Sequence, residues 1–171
     1  MEKCGVSNVI VTRREGVGFC KRWSEKIYKK FDKILVDAPC SGEGTLRKSP
    51  RTFDMWNINY IKKLSLIQKN LASEAFRLLK VDGEMVYSTC THAPEENEEV
   101  VDFLKKKFDI KIEKIEIQLK THEGILDWDG KSFDNEIKNC VRVYPNDNDA
   151  DGFFLAKIKK LSEKGCEDEK F

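Results

Sequence analysis

The sequence predicts an α/β fold in which a parallel sheet ends in antiparallel strands. Two unbroken apolar runs, "KILVDAP" at 33–39 and "EMVYSTC" at 84–90, have the pattern of parallel strands buried on both faces. Between and after them lie helix-periodic segments, so strand, helix, strand and helix alternate, the signature of a parallel sheet covered on both faces by helices. The last third of the chain turns to short β-type runs instead.

Taken in order, "NVIVT" at 8–12 is a short β-branched strand candidate. Residues 13–31 are charged and aromatic, with a short helix expected around 23–30. From 57 to 80, Ile58, Ile61, Leu64, Ile67, Leu71, Ala75, Leu78 and Leu79 recur at helical spacing, and Asp82-Gly83 supplies the stop. Pro94, followed by Glu95, Glu96, Glu98 and Glu99, marks the next helix start with an acidic first turn. "IKIEKIEIQL" after Lys107 alternates with period two, "NCVRVYP" and "GFFLAKIKK" are further strands, and 127–136 is the expected long surface loop. This organisation gives one domain over 1–160 and a frayed tail over 161–171.

Composition narrows the function classes. The 171 residues carry 31 Lys+Arg against 30 Asp+Glu, so a nucleic-acid partner must be held by a local basic patch and not by overall charge. The six cysteines show no C-x-x-C and no His at ligand spacing, which predicts free thiols in a reducing compartment and no metal site. With no signal-peptide pattern and no apolar run of membrane-spanning length, a cytoplasmic, soluble protein is expected.

In a parallel sheet the carboxyl ends of the strands form the ligand crevice, so Asp37, Cys40 and Cys90 are expected on one rim. Packing as small hydrophobes accounts for Cys4, Cys20, Cys140 and Cys166. It does not account for Cys40 and Cys90, which follow strand ends in polar, turn-forming surroundings where helix N-terminal amides lower a thiol pKa. Asp37 either caps its turn or offers a carboxyl group to a ring nitrogen of a bound base. His92 is read as a polar loop residue before the Pro94 helix. Arg47, Lys48 and Arg51 follow the first turn, either as a solvated basic loop or as phosphate contacts, with Trp56 either core or stacking surface.

"DAPCSGEGTLRKSP" at 37–50, Trp56, and "LSLIQKNLASEAFRLLKVDGEMVYSTCTHAPEENEEVV" at 64–101 resemble motifs IV to VI of the RNA cytosine-C5 methyltransferase family, of RsmB/NOP2/NSUN type. "VTRREG" at 11–16 resembles motif III, "RVYP" with "DGFFLAKIKK" resembles the closing motif, and the wording is closest to the tRNA-modifying branch. The resemblance implies the C-terminal part of a class I (Rossmann-like) fold that uses S-adenosyl-L-methionine (SAM). It implies RNA as partner, with tRNA favoured over rRNA. By similarity Cys90 is the nucleophile that adds to cytosine C6, Cys40 serves product release, and Asp37 contacts the base and the reacting methyl region. Glu15, Asp37 and Pro39 are the implied cofactor contacts, Glu15 standing where the family usually has Asp. Asn146 stands where the family often has His.

In the family's sheet the strands run third, second, first, fourth, fifth, seventh, sixth; residues 8–12 correspond to the third and 33–36 to the fourth. The family's Gly-rich cofactor loop would precede residue 1. An exposed edge on the fourth strand is therefore expected, leaving a lone chain unstable, misarranged, or completed by a second polypeptide that supplies the cofactor-binding half. Two rivals follow from the same residues: a truncated or accessory subunit that binds RNA or a partner without catalysis, and a thiol redox protein using Cys40 and Cys90, which the absent C-x-x-C disfavours.

Overall fold

The computed structural model describes Gly5, residues 7–24 and residues 31–166. Its first helix, α1 (Gly16–Ser24), starts seven residues before the helix expected around 23–30, most of which lies outside the described residues. Glu15 sets that start, because its carboxylate accepts the amides of Val17 at 2.9 Å and Gly18 at 2.6 Å. Residues 8–12 are not a strand: Ile10 is 91% and Val11 74% exposed, and no described strand lies beside them.

β1 (Phe31–Asp37) leads through a short 3-10 turn at Glu43–Thr45 and the one-turn α2 (Arg51–Met55) into α3 (Ile58–Arg77). Asn57 caps α3, its side chain accepting the amide of Tyr60 at 2.8 Å. The apolar stripe Ile61, Leu64, Ala72, Ala75 and Phe76 is buried. The helix ends before Asp82-Gly83, because the chain joins the sheet at once: Leu78, the C-cap of α3, accepts the amide of Phe31, and Leu79 opens β2 (Leu79–Thr89). Asp82 (φ 64°) and Gly83 form the irregularity that follows, where a Cβ on Gly83 would stand 2.9 Å from the carbonyl oxygen of Asp32.

α4 (Glu98–Lys107) begins after a turn at 94–97 and ends on Lys105, Lys106 and Lys107, which suit the negative end of the helix dipole. β3 (Ile110–Glu113) is shorter than the alternation predicts. It pairs with β8 (Phe153–Lys160) only up to Lys157, beyond which β7 (Val141–Val143) occupies that edge. β4 (His122–Glu123) flanks β7. The expected loop at 127–136 contains a hairpin, β5 (Asp127–Trp128) and β6 (Lys131–Ser132). Asp129 (φ 48°) and Gly130 (φ 73°) turn it, matching the Asp-Gly preference of tight hairpins. α5 (Pro145–Asn148) precedes β8.

The sheet runs β1, β2, β8, β7, β4, with β3 also on β8. β1 and β2 are parallel and the other pairings antiparallel, so β1, β2 and β8 follow the order expected of fourth, fifth and seventh strands. Where helices were expected on both faces, the described residues place α3 and α4 against each other on one face. There Val36, Met85, Tyr87, Ala156 and Ile158 form the core. The other face exposes Leu35 (71%) and carries charge, Lys157 pairing with Glu84 and Glu113, and Lys33 with Glu84.

One buried ion pair ties α4 to β7. Arg142 holds Glu98 in a two-pronged contact, Nε at 2.6 Å and Nη2 at 2.5 Å, and donates Nη1 to the carbonyl of His92 at 3.0 Å. Both side chains are within 3% of complete burial. Removing one partner strands the other charge without water, so Glu98→Ala is expected to lower unfolding free energy by about 3–5 kcal/mol. Urea titration followed by circular dichroism measures this; a loss below about 1 kcal/mol would show that water solvates the site.

Candidate active site

The register of β1 on β2 builds the site. Asp37 lies opposite Ser88, so the loops leaving the two strands start side by side. Ser88 Oγ donates to Asp37 Oδ1 at 3.1 Å, and Asp37 is otherwise exposed at the strand end. Three residues on, Cys40 meets Cys90, Sγ to Sγ, at 3.1 Å; both are free thiols, half-buried. The amide of Cys90 also donates to Cys40 Sγ at 3.3 Å.

Two thiols this close share a proton. The hydrogen bond from Cys40 brings Cys90, the less buried of the two, down to about 7 against burial and the charges of Asp37 and Glu96. That same bond, with burial, pushes Cys40 far up, because its own ionisation would set a second thiolate against the first. The contact therefore favours ionisation at Cys90 and the proton on Cys40.

A polar frame fixes the two loops. Gln68, fully buried on α3, donates Nε2 to the carbonyl of Pro39 at 2.8 Å and to Glu96 Oε2 at 2.7 Å. Glu96 Oε2 accepts the amide of Ser41 at 3.1 Å, and Ser41 Oγ meets Thr91 Oγ1 at 2.8 Å. Asn97 accepts Thr89 Oγ1 and donates to the carbonyl of Thr91. From the other side Glu43 accepts Thr91 Oγ1, the amide of His92 and the indole Nε1–H of Trp56. Burial raises the Glu96 pKa, which its hydrogen bonds only partly offset.

The predicted residues sort clearly. Asp37, Pro39, Cys40 and Cys90 come together. Glu15 has both carboxylate oxygens on its own helix start, which holds its pKa down, and makes no contact with the thiol pair among the described residues. Arg47 and Lys48 are paired to Asp149 and Asp151 at 2.7 and 2.6 Å on the surface, and Arg51 is exposed at the start of α2. His92 packs its ring against Tyr144 with centroids 5.3 Å apart, and burial lowers its pKa. Cys20 and Cys140 are buried in the core, Cys166 packs against it, and Cys4 lies outside the described residues. No group of His, Cys, Asp or Glu among the described residues could hold a metal, and no described helix is long and apolar enough to cross a membrane.

The family profile described as 16S rRNA methyltransferase RsmB/F matches residues 1–159. The chain belongs to the RsmB/F methyltransferase family. RsmB/F-type relatives include a tRNA (cytosine(49)-C(5))-methyltransferase of Pyrococcus abyssi, 41% identical over 160 residues, covering 94% of this chain and 50% of the relative. A ribosomal RNA small subunit methyltransferase F of Shewanella piezotolerans is 38% identical over 165 residues, covering 94% of this chain and 31% of that protein. Among solved structures, a methyltransferase homolog from Pyrococcus horikoshii superposes with TM-score 0.78 at 33% identity, over 94% of this chain and 47% of that one. NSun6 from Pyrococcus horikoshii, solved with SFG, gives TM-score 0.71 at 28% identity, over 94% and 37%. This RsmB/F-family chain thus spans half or less of each of these proteins.

Glu43, Gln68, Glu96 and the Arg142–Glu98 pair were not singled out from sequence as site residues. Only Gln68 carried a signal, since it stands among the core-facing positions of α3; nothing in the acidic helix start marks Glu96 and Glu98 as buried.

The thiol pair makes a direct prediction. Alkylation of Cys90 by iodoacetamide, followed by peptide mass spectrometry, should rise with pH to a midpoint of about 7. A hydrogen bond to a charged acceptor is worth about 1.5–3 kcal/mol, so Cys40→Ala should move that midpoint up by about 1–2 pH units. An unchanged midpoint would show that Cys40 does not stabilise the Cys90 thiolate.

Proposed function

We propose that this chain carries the catalytic strand ends of a SAM-dependent RNA cytosine-C5 methyltransferase, with tRNA favoured over rRNA. The observation that carries the reading is the 3.1 Å contact between Cys40 and Cys90 at the ends of adjacent parallel strands. Family membership supports the reaction class, and relatives named for tRNA and for rRNA both occur.

Cytosine C5 is a poor nucleophile, and the arrangement answers that difficulty. The Cys90 thiolate adds to C6, forming an S–C bond and shifting electron density to C5. Asp37, exposed beside it, is placed to steady the proton at N3. SAM, when bound, supplies an electrophilic methyl group; Asp37 at the open strand end, with a single side-chain donor on its carboxylate among the described residues, suits the positively charged reacting end, where Pro39 is also exposed. Adduct formation consumes the thiolate that held the Cys40 proton in place. Cys40 then gives its proton to solvent more readily, and its thiolate can take the C5 proton; the C5–H electron pair re-forms the C5–C6 double bond as the C6–S bond breaks, and Cys90 leaves as thiolate. The target base must be unpaired or flipped out for a thiol to reach C6.

Arg47, Lys48 and Arg51 are read as phosphate contacts, since exposed ion pairs such as Arg47–Asp149 contribute little and exchange readily. Residues 1–160 are read as part of the catalytic domain and 161–171 as a tail, in a cytoplasmic protein. A second reading, a non-catalytic RNA- or partner-binding subunit, is favoured by one observation: β1 has no strand on its outer edge among the described residues and exposes Leu35 on its open face, apolar surface that a second polypeptide or further chain would cover.

The two readings separate on one gel. Incubated with SAM and unmodified tRNA transcript, Cys40→Ala should accumulate a denaturation-resistant RNA adduct, and Cys40→Ala/Cys90→Ala should form none. No adduct in Cys40→Ala, with RNA still retained on a filter, would favour the binding subunit.

A further inference from the structure

We infer that the cleft formed by Leu46, Thr52, Phe53 and Trp56 beside the thiol pair is a stacking subsite for the RNA base that neighbours the target cytosine; this rests on the function proposed above. The cleft measures about 350 Å³, is lined almost entirely by apolar surface, and is completed by Glu43 and His92. Its size lies at the small end of ligand sites, suited to one planar group.

Three features choose a nucleobase as occupant. First, Phe53 (75% exposed), Trp56 (51%) and Leu46 (41%) form a patch of large apolar side chains in a loop that also carries Arg47, Lys48 and Arg51. Aromatic faces interleaved with basic residues match the alternation of bases and phosphates in a single strand. Second, the indole N–H of Trp56 is tied to Glu43 Oε1, which fixes the ring in place before any ligand arrives. Third, the cleft joins the catalytic loop directly. Glu43 Oε2 accepts the amide of His92, and two residues of extended chain separate His92 from Cys90 by about 7 Å at most. A base held at Cys90 therefore places the next nucleotide at this cleft. With so few polar groups lining it, the subsite would grip any base by its face and read no edge.

The test uses the full chain with Trp23→Phe and Trp128→Phe, leaving Trp56 as the only indole of the three in the sequence. The probe is a five-nucleotide RNA with central cytidine, intact or with an abasic residue on its 5′ or 3′ side. The intact RNA should quench Trp56 fluorescence, and one of the two abasic probes should bind about tenfold more weakly. Phe53→Ala should weaken the intact RNA and leave that abasic probe unaffected. Equal binding of all three probes, or equal weakening of all three by Phe53→Ala, would overturn the subsite while the Cys90 adduct could still form in the Cys40→Ala background. RNA adducts without quenching of Trp56 would also overturn it and assign the patch to a polypeptide. Absence of both RNA binding and adduct would remove the methyltransferase reading itself, and the subsite with it.

Discussion

Everything at the site hangs on one parallel ladder. From Lys33–Glu84 to Asp37–Ser88 the two strands run without a slip, so the chain leaves both at the same height. A shift of one residue would put Asp37 on the helix face and carry Cys40 away from Cys90. The irregularity at Lys80–Gly83 matters for that reason. It absorbs the mismatch between the start of β1 and the start of β2 at the far end, and leaves the site end regular. Geometry alone then creates the chemistry, since neither thiol is unusual until the other stands 3.1 Å away.

The parts of the fold that were legible in sequence are those whose partners are local or generic. Strands 33–39 and 84–90, the long helix and the closing strand all announced themselves by apolar pattern, because an element buried against a core must show its period. What failed depended on non-local occupancy. Residues 8–12 have strand composition but no described neighbour to pair with, and the alternation after Glu113 stops because β7 already holds the edge of β8. Composition cannot report whether an edge is taken. The 127–136 hairpin was missed for the opposite reason, since its Asp-Gly turn was visible but its strands are only two residues each.

The site divides along the same line. Cys40, Cys90 and Asp37 could be placed on one rim because strand ends in parallel sheets gather there. Glu15 could not be judged from sequence, since whether a carboxylate faces a ligand or caps its own helix depends on the local turn, and here two amides hold it. The frame of Gln68, Glu96 and Glu43 escaped because each of these residues is ordinarily a surface residue. Burial converts Gln68 and Glu96 into fixed connectors between loops, at the cost of leaving Gln68 Oε1 and Glu96 Oε1 without partners among the described residues.

The closing segment of the chain shows why residues distant in sequence bear on the thiols. Gly152 donates its amide to the carbonyl of Gly44, and Gly44 donates in turn to the carbonyl of Cys90, each at 2.9 Å. This relay brings three backbones so close that a Cβ on Gly44 would stand 2.5 Å from the Gly152 carbonyl oxygen, and one on Gly152 would strike the His92 ring. Only glycine leaves room for both contacts. Arg142, also from this segment, holds the carbonyl of His92. The loop bearing Cys90 is thus fixed from below by β2, from one side by the Glu96 frame and from the other by the entry to β8. For the covalent step proposed at Cys90, confinement on three sides leaves little orientation to lose when a base arrives, which is where such a step would gain its rate.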